Sequence, residues 1–496
     1  MNEKMLIVAV LLPIIGSSLL PLMKFKKRIH MEIYIESIVI ITSLIVFFLI
    51  THRPEEEMKV FHFIGNFSIS FQMDGLSMVF SGLISALWPL ATLYAFEYMK
   101  GEKSGEGTHE KTFFMAYVIT FGVTLGIALS ANLLTMYFFY EMLTLVTLPL
   151  IMYTLSREAI LASRKYLYYS LGGAAFAFIG LIFIIIYGDS LNFILGGTLN
   201  LEKVGDRTNV LLLIYVIAFF GFGVKAAVCP FNSWLPQAGV APTPVTALLH
   251  AVAVVKSGAF AIIRITYYSF GVSFLKGTWA QNVVMIAVII TIVYGCSMAV
   301  KETHFKRRLA YSTISNLSYI LFGVVIMTPL GLMAALSHMI FHGIMKICSF
   351  FCAGAVIYKT DKEYVYELDG LGRKMPKVFS IFAISSFALM GVPGLSGFVS
   401  KWYLANAAVY SENKLAYVGI GALLISALLT AIYLLSIVIR AFFPKEDFNY
   451  ETIKEVKDPN WYMMVPLVIF CIAIIGFGLH SGPIIGFLSD VANGIY

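Results

Sequence analysis

Charged residues are scarce in this chain: only 13% of its 496 residues are Asp, Glu, Lys or Arg, while 59% are hydrophobic. A soluble domain usually carries about 25% charged residues. So few charges cannot cover a water-facing surface, and this excludes a soluble protein. The expected surroundings are the lipid bilayer of a cell (inner or plasma) membrane, which the chain crosses many times.

The chain also lacks paired loop cysteines and cofactor motifs. Its five cysteines all lie within apolar runs, without the spacing of a disulfide framework or a zinc knuckle. No flavin, iron–sulfur or nickel ligand pattern is present. We therefore expect no cofactor and no metal on this chain, and no nucleic-acid partner.

Long apolar runs take the place of these features. A bilayer core about 30 Å thick needs roughly 20 apolar residues in a helix. Helices are required because backbone polar groups in hydrocarbon must be satisfied within their own segment. The predicted fold is an all-α polytopic membrane protein with about 14 transmembrane helices. The predicted spans are 5–23, 32–51, 76–99, 113–130, 133–154, 166–188, 210–229, 241–268, 280–300, 309–328, 330–358, 377–404, 415–443 and 460–482.

Lysine and arginine are unevenly distributed between the loops. The loops that follow odd-numbered spans hold 23 of them, and the opposite side holds 7. Cytoplasmic loops carry an excess of these residues. Both termini are therefore expected on the non-cytoplasmic side of the membrane.

Several predicted spans contain ionisable side chains. A charge at the centre of a span costs about 2.5–3.5 kcal/mol on insertion scales, so such a residue is a functional candidate by default. Ion pairs that merely lock helices together would need similar numbers of acids and bases, yet Glu141 is the one clear acid. The candidates inside spans are Glu141, Lys225, Lys256, His338, His342, Lys346 and Lys401.

Glu141 and Lys225 are predicted to act through each other's charge. Bringing them together stabilises the charged form of both, and separating them favours release of a proton from Lys225. Two like charges about 4 Å apart repel by about 4 kcal/mol at an effective dielectric of 20. A charge that moves to one site can therefore discharge its neighbour, and this predicts a proton relay.

His338, His342 and Lys346 recur every four residues and therefore share one face of a helix. Histidine titrates near neutrality, so this stripe suits stepwise proton transfer. Cys348 and Cys352 lie beside it, which makes a metal site the alternative. The helix climbs about 21 Å from His338 to Cys352, which is too far for one ion.

Two predicted spans contain helix breakers. The seventh ends at Cys229-Pro230, and the twelfth contains the segment from Gly391 to Gly397 just before Lys401. Irregular backbone at membrane depth is tolerated only inside protein or along a wet cavity. Matching breaks in two halves indicate an inverted-repeat transporter, although a simple kink is the commoner cause of each break.

A resemblance to a known family rests on residues 225–244, which have the sequence KAAVCPFNSWLPQAGVAPTP. This segment resembles the signature of the antiporter-like subunits of respiratory complex I, Mrp-type sodium/proton antiporters and membrane-bound hydrogenases. The resemblance extends from Asp74 to Lys401. It implies two inverted five-helix repeats, each forming half of a proton path. The implied divisions are 1–112 (three N-terminal helices), 113–268 (spans four to eight), 280–443 (spans nine to thirteen) and 444–496 (the last span).

The resemblance also implies residue roles at the two ends of the path. Glu141 matches the family's fifth-helix glutamate, and Lys225 matches the seventh-helix lysine that pairs with it. Lys401 matches the exit-side lysine of the twelfth helix. Asn232 departs from the pattern, because many members have histidine there.

Between these ends, Lys256 matches the connecting lysine of the eighth helix, and His338 and His342 match histidines of the eleventh. His250 occupies a position that is titratable in one branch of the family, whereas Lys256 follows another branch. Either residue could carry the central step.

The favoured function is a proton-translocating subunit of a complex with other membrane subunits, and coupled Na⁺ exchange stays open. The expected absence of a C-terminal lateral helix makes the chain resemble the Mrp D subunit or its hydrogenase counterpart. The alternative complex is redox-driven, of the ferredoxin-linked hydrogenase or complex I type, with the redox centres in partner subunits. A solute secondary transporter is a remote alternative, because it would need few buried bases.

Overall fold

The computed structural model describes residues 2–62, 67–101, 107–445, 448–453 and 455–496. Two loops counted for the orientation, 100–111 and 440–457, include residues outside these ranges. The α-helices, numbered in chain order, are α1 (Asn2–Ser18), α2 (Arg28–Thr51), α3 (Gly75–Gly101), α4 (Gly107–Ala128), α5 (Leu133–Ile151), α6 (Arg157–Tyr187), α7 (Leu201–Val204), α8 (Thr208–Gly223), α9 (Trp234–Gln237), α10 (Thr243–Ala251), α11 (Val254–Ile263), α12 (Val272–Leu275), α13 (Trp279–Lys301), α14 (Phe305–Val325), α15 (Pro329–Thr360), α16 (Leu371–Lys374), α17 (Pro376–Met390), α18 (Ser396–Val409), α19 (Lys414–Phe442), α20 (Trp461–Leu479) and α21 (Gly482–Ala492).

Twelve helical segments in the described ranges are long and apolar enough to cross a bilayer. They coincide with twelve of the fourteen predicted spans. The predicted span 309–328 falls on α14, which is richer in polar side chains, and 377–404 falls on the shorter helices α17 and α18. An all-helical polytopic membrane protein is thus confirmed, with about twelve candidate spans.

Two of these spans form the interior of the protein. The segment Thr243–Phe270 (α10, α11 and the π-helix Arg264–Phe270) and helix α15 are buried throughout their most apolar stretch, whereas fewer than half of the residues in the corresponding stretches of α1, α6 and α20 are buried. Helix α15 packs against α3, α10, α14, α17, α18 and α20. A helix that is apolar on all sides is enclosed by others, so ionisable side chains on these spans are shielded from lipid.

The interruptions in the helices only partly follow the predicted breaks. Helix α8 ends at Gly223, six residues before the predicted end at Cys229. Lys225 therefore lies in an unwound stretch, 224–233, and not in a helix as predicted. Between α17 and α18 the chain leaves the helix from Gly391 to Leu395, within the predicted segment.

A further interruption separates α10 from α11 at Val252 and Ala253. The long apolar run predicts one continuous span over 241–268, and neither proline nor glycine lies at these two positions. This break gives Lys256 a place in the first turn of a new helix. It is the main correction to the predicted backbone near the site.

Small elements also lie outside the predicted spans. Strands β1 (Met58–His62) and β2 (Ser68–Phe71) form an antiparallel pair in which Met58 lies opposite Phe71. The short helix α21 follows the last long helix. Both were missed, because segments this brief give too few periods of hydrophobic alternation to be recognised.

Candidate functional site

Lys225 lies in the unwound stretch after α8 and is only 1% exposed. Its Nζ donates a hydrogen bond to the backbone oxygen of Tyr140 in α5. The same nitrogen lies 3.5 Å from the centroid of the Tyr140 ring, a cation–π contact. Two elements that are distant in sequence thus meet at one ammonium group.

Glu141 is the next residue of α5 and is partly buried. Its Oε1 is buried without a hydrogen-bond partner, and the described residues include no ion pair between Glu141 and Lys225. The structure therefore brings the two predicted partners close together, but it places the ammonium on the neighbouring carbonyl group. The ion pair between Glu141 and Lys225 that the family resemblance implies is therefore not formed in this structure.

Helix α11 lies close against the turn that carries Lys225 and fixes its position. A Cβ atom on Gly258 in α11 would lie 2.5 Å from the backbone nitrogen of Ala226 and 2.9 Å from the carbonyl carbon of Lys225. Trp234 holds the turn from another side, because its Nε1 donates to the carbonyl oxygen of Val224 at 2.8 Å. Glycine at position 258 therefore lets α11 press directly against the unwound chain.

Lys256 is the central residue of the interior spans. It is fully buried in the first turn of α11, and its Nζ lies 2.6 Å from Nδ1 of His342 in α15. The rings of His342 and His338 stack one helical turn apart, with centroids separated by 5.6 Å. Lys256, His342 and His338, which come from two helices, therefore follow one another in space through the protein interior.

The row continues from His338 towards α18. Nδ1 of His338 lies 2.9 Å from Oγ of Ser400, and the next residue is Lys401. The Tyr319 ring also bridges the two, because its centroid lies 5.2 Å from the ring of His338 and 5.2 Å from Nζ of Lys401. We call Lys256, His342, His338 and Lys401 the connecting row.

The break between α17 and α18 supplies the hydrogen-bond partners of Lys401. Its Nζ donates to the carbonyl oxygens of Leu389, at 2.5 Å, and Met390, at 3.2 Å. These are the last two residues of α17, whose terminal carbonyl groups have no partner within the helix. The negative end of the helix dipole therefore stabilises the ammonium group.

His250 and Lys346 lie beside the connecting row but outside its contacts. Both ring nitrogens of His250 lack a hydrogen-bond partner in the described part of the chain, and its ring stacks on Phe350 with centroids 4.9 Å apart. Nζ of Lys346 donates to Oγ of Ser312 at 2.7 Å and to the carbonyl oxygen of Leu309 at 3.3 Å. Of the two candidates for the central step, Lys256 is the one that contacts His342.

Two ion-pair regions were missed from the sequence. Arg264 in the π-helix binds both carboxylate oxygens of Asp74, at 2.5 and 2.8 Å, beneath the start of α3. Arg28 pairs with Glu32 in α2 at 3.0 Å, where the spacing of four residues was a usable signal.

Glu36 contradicts the prediction that Glu141 is the one clear acid within the spans. It lies one turn after Glu32, inside the predicted second span, and its Oε2 is buried without a hydrogen-bond partner in the described ranges. Glu97, near the end of α3, is also buried and pairs with Lys100 at 2.9 Å. Glu141 is therefore one of several acids in the helices, and it lies next to Tyr140, the residue that Lys225 contacts.

A family model described as "NADH:quinone oxidoreductase/Mrp antiporter, TM" matches residues 130–430. The matched range is more than half of the chain and includes every predicted site residue. The chain belongs to this family.

Curated relatives match nearly all of this family member. It is 28% identical over 502 residues to "Na(+)/H(+) antiporter subunit A1" of Staphylococcus haemolyticus, covering 96% of this chain and 61% of that protein. It is 27% identical over 500 residues to "NAD(P)H-quinone oxidoreductase chain 4, chloroplastic" of Adiantum capillus-veneris, covering 98% and 97%. The chain thus spans about three fifths of the staphylococcal antiporter subunit but nearly all of the quinone oxidoreductase chain.

The fold of the chain is similar to that of a chain in a solved membrane complex. It superposes on a chain in the structure of the Mrp complex from Dietzia sp. DQ12-45-1b with a TM-score of 0.85 at 20% identity, covering 100% of this chain and 97% of that one. At this identity the likeness shows the fold alone.

Proposed function

We propose that the chain is a proton-translocating, antiporter-like subunit of a multi-subunit membrane complex. The observation that carries the proposal is the connecting row, in which buried ionisable groups from three helices follow one another through the protein interior. Buried bases without a carboxylate partner are expensive in a membrane and mark ion pathways. The proposed relay residues are Glu141, Lys225, His250, Lys256, His338, His342, Lys346 and Lys401.

Lys225 and Glu141 form the first switch of the proposed relay. With the ammonium on the carbonyl group of Tyr140, Lys225 has no full counter-charge in contact. A short movement of its side chain towards Glu141 would form an ion pair and hold the proton. The open arrangement is then the state in which Lys225 passes its proton on towards Lys256.

The connecting row carries the proton from there. Lys256 and the Nδ1 atom of His342 are close enough to share a proton directly. Their charges are strongly coupled, because both are buried in a medium of low dielectric. Protonation of Lys256 therefore favours loss of any positive charge on His342, and the same coupling extends through His338 to Lys401.

The proposed organisation follows the family resemblance. It has fourteen spans, with α17 and α18 forming a broken twelfth, and two inverted repeats over 113–268 and 280–443. The segments 1–112 and 444–496 flank these repeats. Both termini are proposed to face away from the cytoplasm, which accessibility labelling of a cysteine introduced at either end would test.

Among the possible complexes, we propose an Mrp-type antiporter in which this chain takes the position of the Mrp D subunit. Support comes from the sequence similarity to the staphylococcal Na⁺/H⁺ antiporter subunit, which extends over 96% of this chain, and from the resemblance of residues 225–244 to the signature that Mrp subunits share. The second candidate is a redox-driven complex, which the almost complete match to the Adiantum oxidoreductase chain favours. Coupled Na⁺ exchange is part of the Mrp proposal.

Lys401 provides the test of the proposal. Lys401→Ala should reduce proton translocation by the assembled complex in vesicles by at least about tenfold, and Lys401→Glu should keep part of it because a titratable group remains. The measurement is the quenching of a pH-sensitive dye in vesicles with matched amounts of assembled complex. Lys414→Ala is the control, because Lys414 is exposed at the start of α19. Translocation at the parental rate by Lys401→Ala would exclude Lys401 as the exit residue.

A further inference from the structure

A cavity of 250 Å³ lies between the ends of α13, α14 and α19 on the face of the protein that carries most of the loop lysines and arginines. Its wall includes Arg308, Arg440, Ser436, Tyr366 and Tyr433. Two guanidinium groups line the cavity, and none of its described lining residues is acidic. It is smaller than the roughly 300–1,000 Å³ clefts that hold drug-sized ligands.

Arg308 is a hydrogen-bond donor at the cavity wall that the surrounding protein holds in place. The residue is only 7% exposed, so its guanidinium group is positioned by protein contacts. Its Nε donates to the carbonyl oxygen of Glu302 at 2.7 Å, and its Nη1 donates to the carbonyl oxygen of Tyr433 and to Oγ of Ser436, at 3.0 and 2.9 Å. These bonds use three of the five N–H groups of an arginine. The two on Nη2 have no partner among the described residues.

Among the described residues, neither of the two nearby acids contacts Arg308, although Asp369 pairs with the other arginine of the cavity, Arg440. The Glu302 carboxylate accepts hydrogen bonds from the backbone N–H groups of Thr303 and His304, each at 3.0 Å. Asp369 lies 3.4 Å from Nη1 of Arg440, outside the cavity wall. Arg308 therefore faces the cavity with free donors and without a carboxylate in contact.

A lipid-facing stripe leads from the cavity into the membrane. Ile432 lines the cavity, and Ile432 and Ile439 are 56% and 54% exposed on α19. Leu424 and Leu428 continue the same face, at 64% and 69% exposure. An acyl chain could lie along this stripe while its headgroup occupies the cavity.

We propose that this cavity binds the phosphate group of an anionic phospholipid through Arg308 and Arg440. Arginine is suited to this role because its planar donors match phosphate oxygens in pairs. Basic pockets between helices at a membrane surface are known to take anionic headgroups. Free inorganic phosphate shares the chemistry of the headgroup, but it makes no use of the apolar stripe on α19.

A phosphate bound in the cavity would also be connected to the proposed relay by a chain of hydrogen bonds. Tyr433 accepts from Arg308 through its carbonyl oxygen, and its hydroxyl group donates to Oγ of Ser312 at 2.7 Å. Ser312 in turn accepts from Nζ of Lys346 at 2.7 Å. Two residues, Tyr433 and Ser312, thus link Arg308 to Lys346. This consequence rests on the proposed function, whereas the binding itself does not.

The test uses a photoactivatable phosphatidylglycerol, with its reactive group near the glycerol, added to the assembled complex in detergent micelles. We expect labelled peptides from the end of α13 and the second half of α19, competed by unlabelled phosphatidylglycerol and not by phosphatidylcholine with the same acyl chains. Arg308→Gln should weaken the labelling by on the order of tenfold, which corresponds to the loss of one charged hydrogen-bonding group. Arg157→Gln is the matched control, because Arg157 is an exposed arginine at the start of α6, on the same basic side.

Arg440→Gln keeps the test decisive if Arg308→Gln fails to assemble, since Arg440 is exposed and its replacement should weaken the labelling by a smaller factor. Equal labelling by both lipids, or labelling that neither substitution changes, would overturn the proposal. Competition by millimolar inorganic phosphate, with no dependence on acyl chains, would assign the site to a free anion and overturn the lipid. Because the readout is binding, a failure here leaves proton translocation untouched.

Discussion

The region around Lys225 and the connecting row use buried charge in different ways. Lys225 contacts a backbone carbonyl group and an aromatic ring, and the nearby carboxylate of Glu141 stands without a partner. In the connecting row, ionisable side chains contact each other directly, as Lys256 and His342 do at 2.6 Å. The first arrangement must move to exchange a proton, whereas the second is already assembled.

The backbone explains this difference. Lys225 lies in an unwound stretch whose backbone is held by α11 and by Trp234, so a change of partner requires its side chain to move. His338 and His342 project from one continuous helix, α15, which is enclosed on all sides. A rigid helix holds side chains at fixed spacing. The protein thus places a movable group before a fixed row.

The largest expected effect comes from removing the movable charge. Lys225→Ala should abolish proton translocation while the complex still assembles, because Glu141 would lose the neighbouring ammonium group of Lys225. Glu141→Gln should also abolish translocation, because it removes the carboxylate that acts on Lys225. Glu141→Asp should have a milder effect, because the charge is kept on a side chain one methylene shorter. Dye quenching in vesicles measures all three.

Lys276→Ala serves as the control for these variants, since Lys276 is exposed in the loop before α13. If Lys225→Ala assembled and translocated protons at the parental rate, the movable group would be a structural anchor. The contrast between the two regions would then disappear.

The connecting row should show graded losses. His342→Ala removes the direct contact with Lys256 and should slow translocation by at least about tenfold, within the usual range for loss of a proton-transfer group. His338→Ala should slow it less, because Tyr319 and Ser400 still link this part of the row to Lys401. The measured quantity is the initial rate of proton uptake per assembled complex.

Cys348→Ala and Cys352→Ala are the matched controls on the same helix, since both thiols are buried about two and three turns beyond His342. They should leave the rate nearly unchanged. Losses as large as those of the histidine variants would favour the metal site that the distance argument discounted.

The sequence predicted the class of fold and the set of buried bases well, because both rest on local composition. Long apolar runs are unambiguous, and a lysine within such a run is conspicuous. The sequence could not predict that Lys256 would meet His342, since that contact joins residues 86 positions apart. Nor could it predict the break at Val252, where neither proline nor glycine interrupts the helix.

Ion pairs at the helix ends were overlooked for a different reason. Glu32 and Glu97 lie where a span meets the surface, and a boundary uncertain by a few residues leaves such acids outside the membrane. The sequence also could not predict that Lys225 contacts the carbonyl group of Tyr140 and not Glu141. A matched pair of residue types does not show which rotamer each side chain adopts. Only the packing of α11 against the turn shows what holds that lysine.

The smallest expected effect tests this packing without touching a charge. Gly258→Ala puts a methyl group 2.5 Å from the backbone nitrogen of Ala226, so the turn that carries Lys225 must shift. We expect translocation to fall several-fold while assembly is kept, because every relay residue remains present. Gly172→Ala is the matched control on α6, where nothing lies within 4 Å of the added atom and alanine favours the helix by about 1 kcal/mol. A rate in Gly258→Ala equal to that of Gly172→Ala would mean that the position of the turn does not govern proton transfer. The distinction between a movable Lys225 and a fixed row would then have to rest on the charge variants alone.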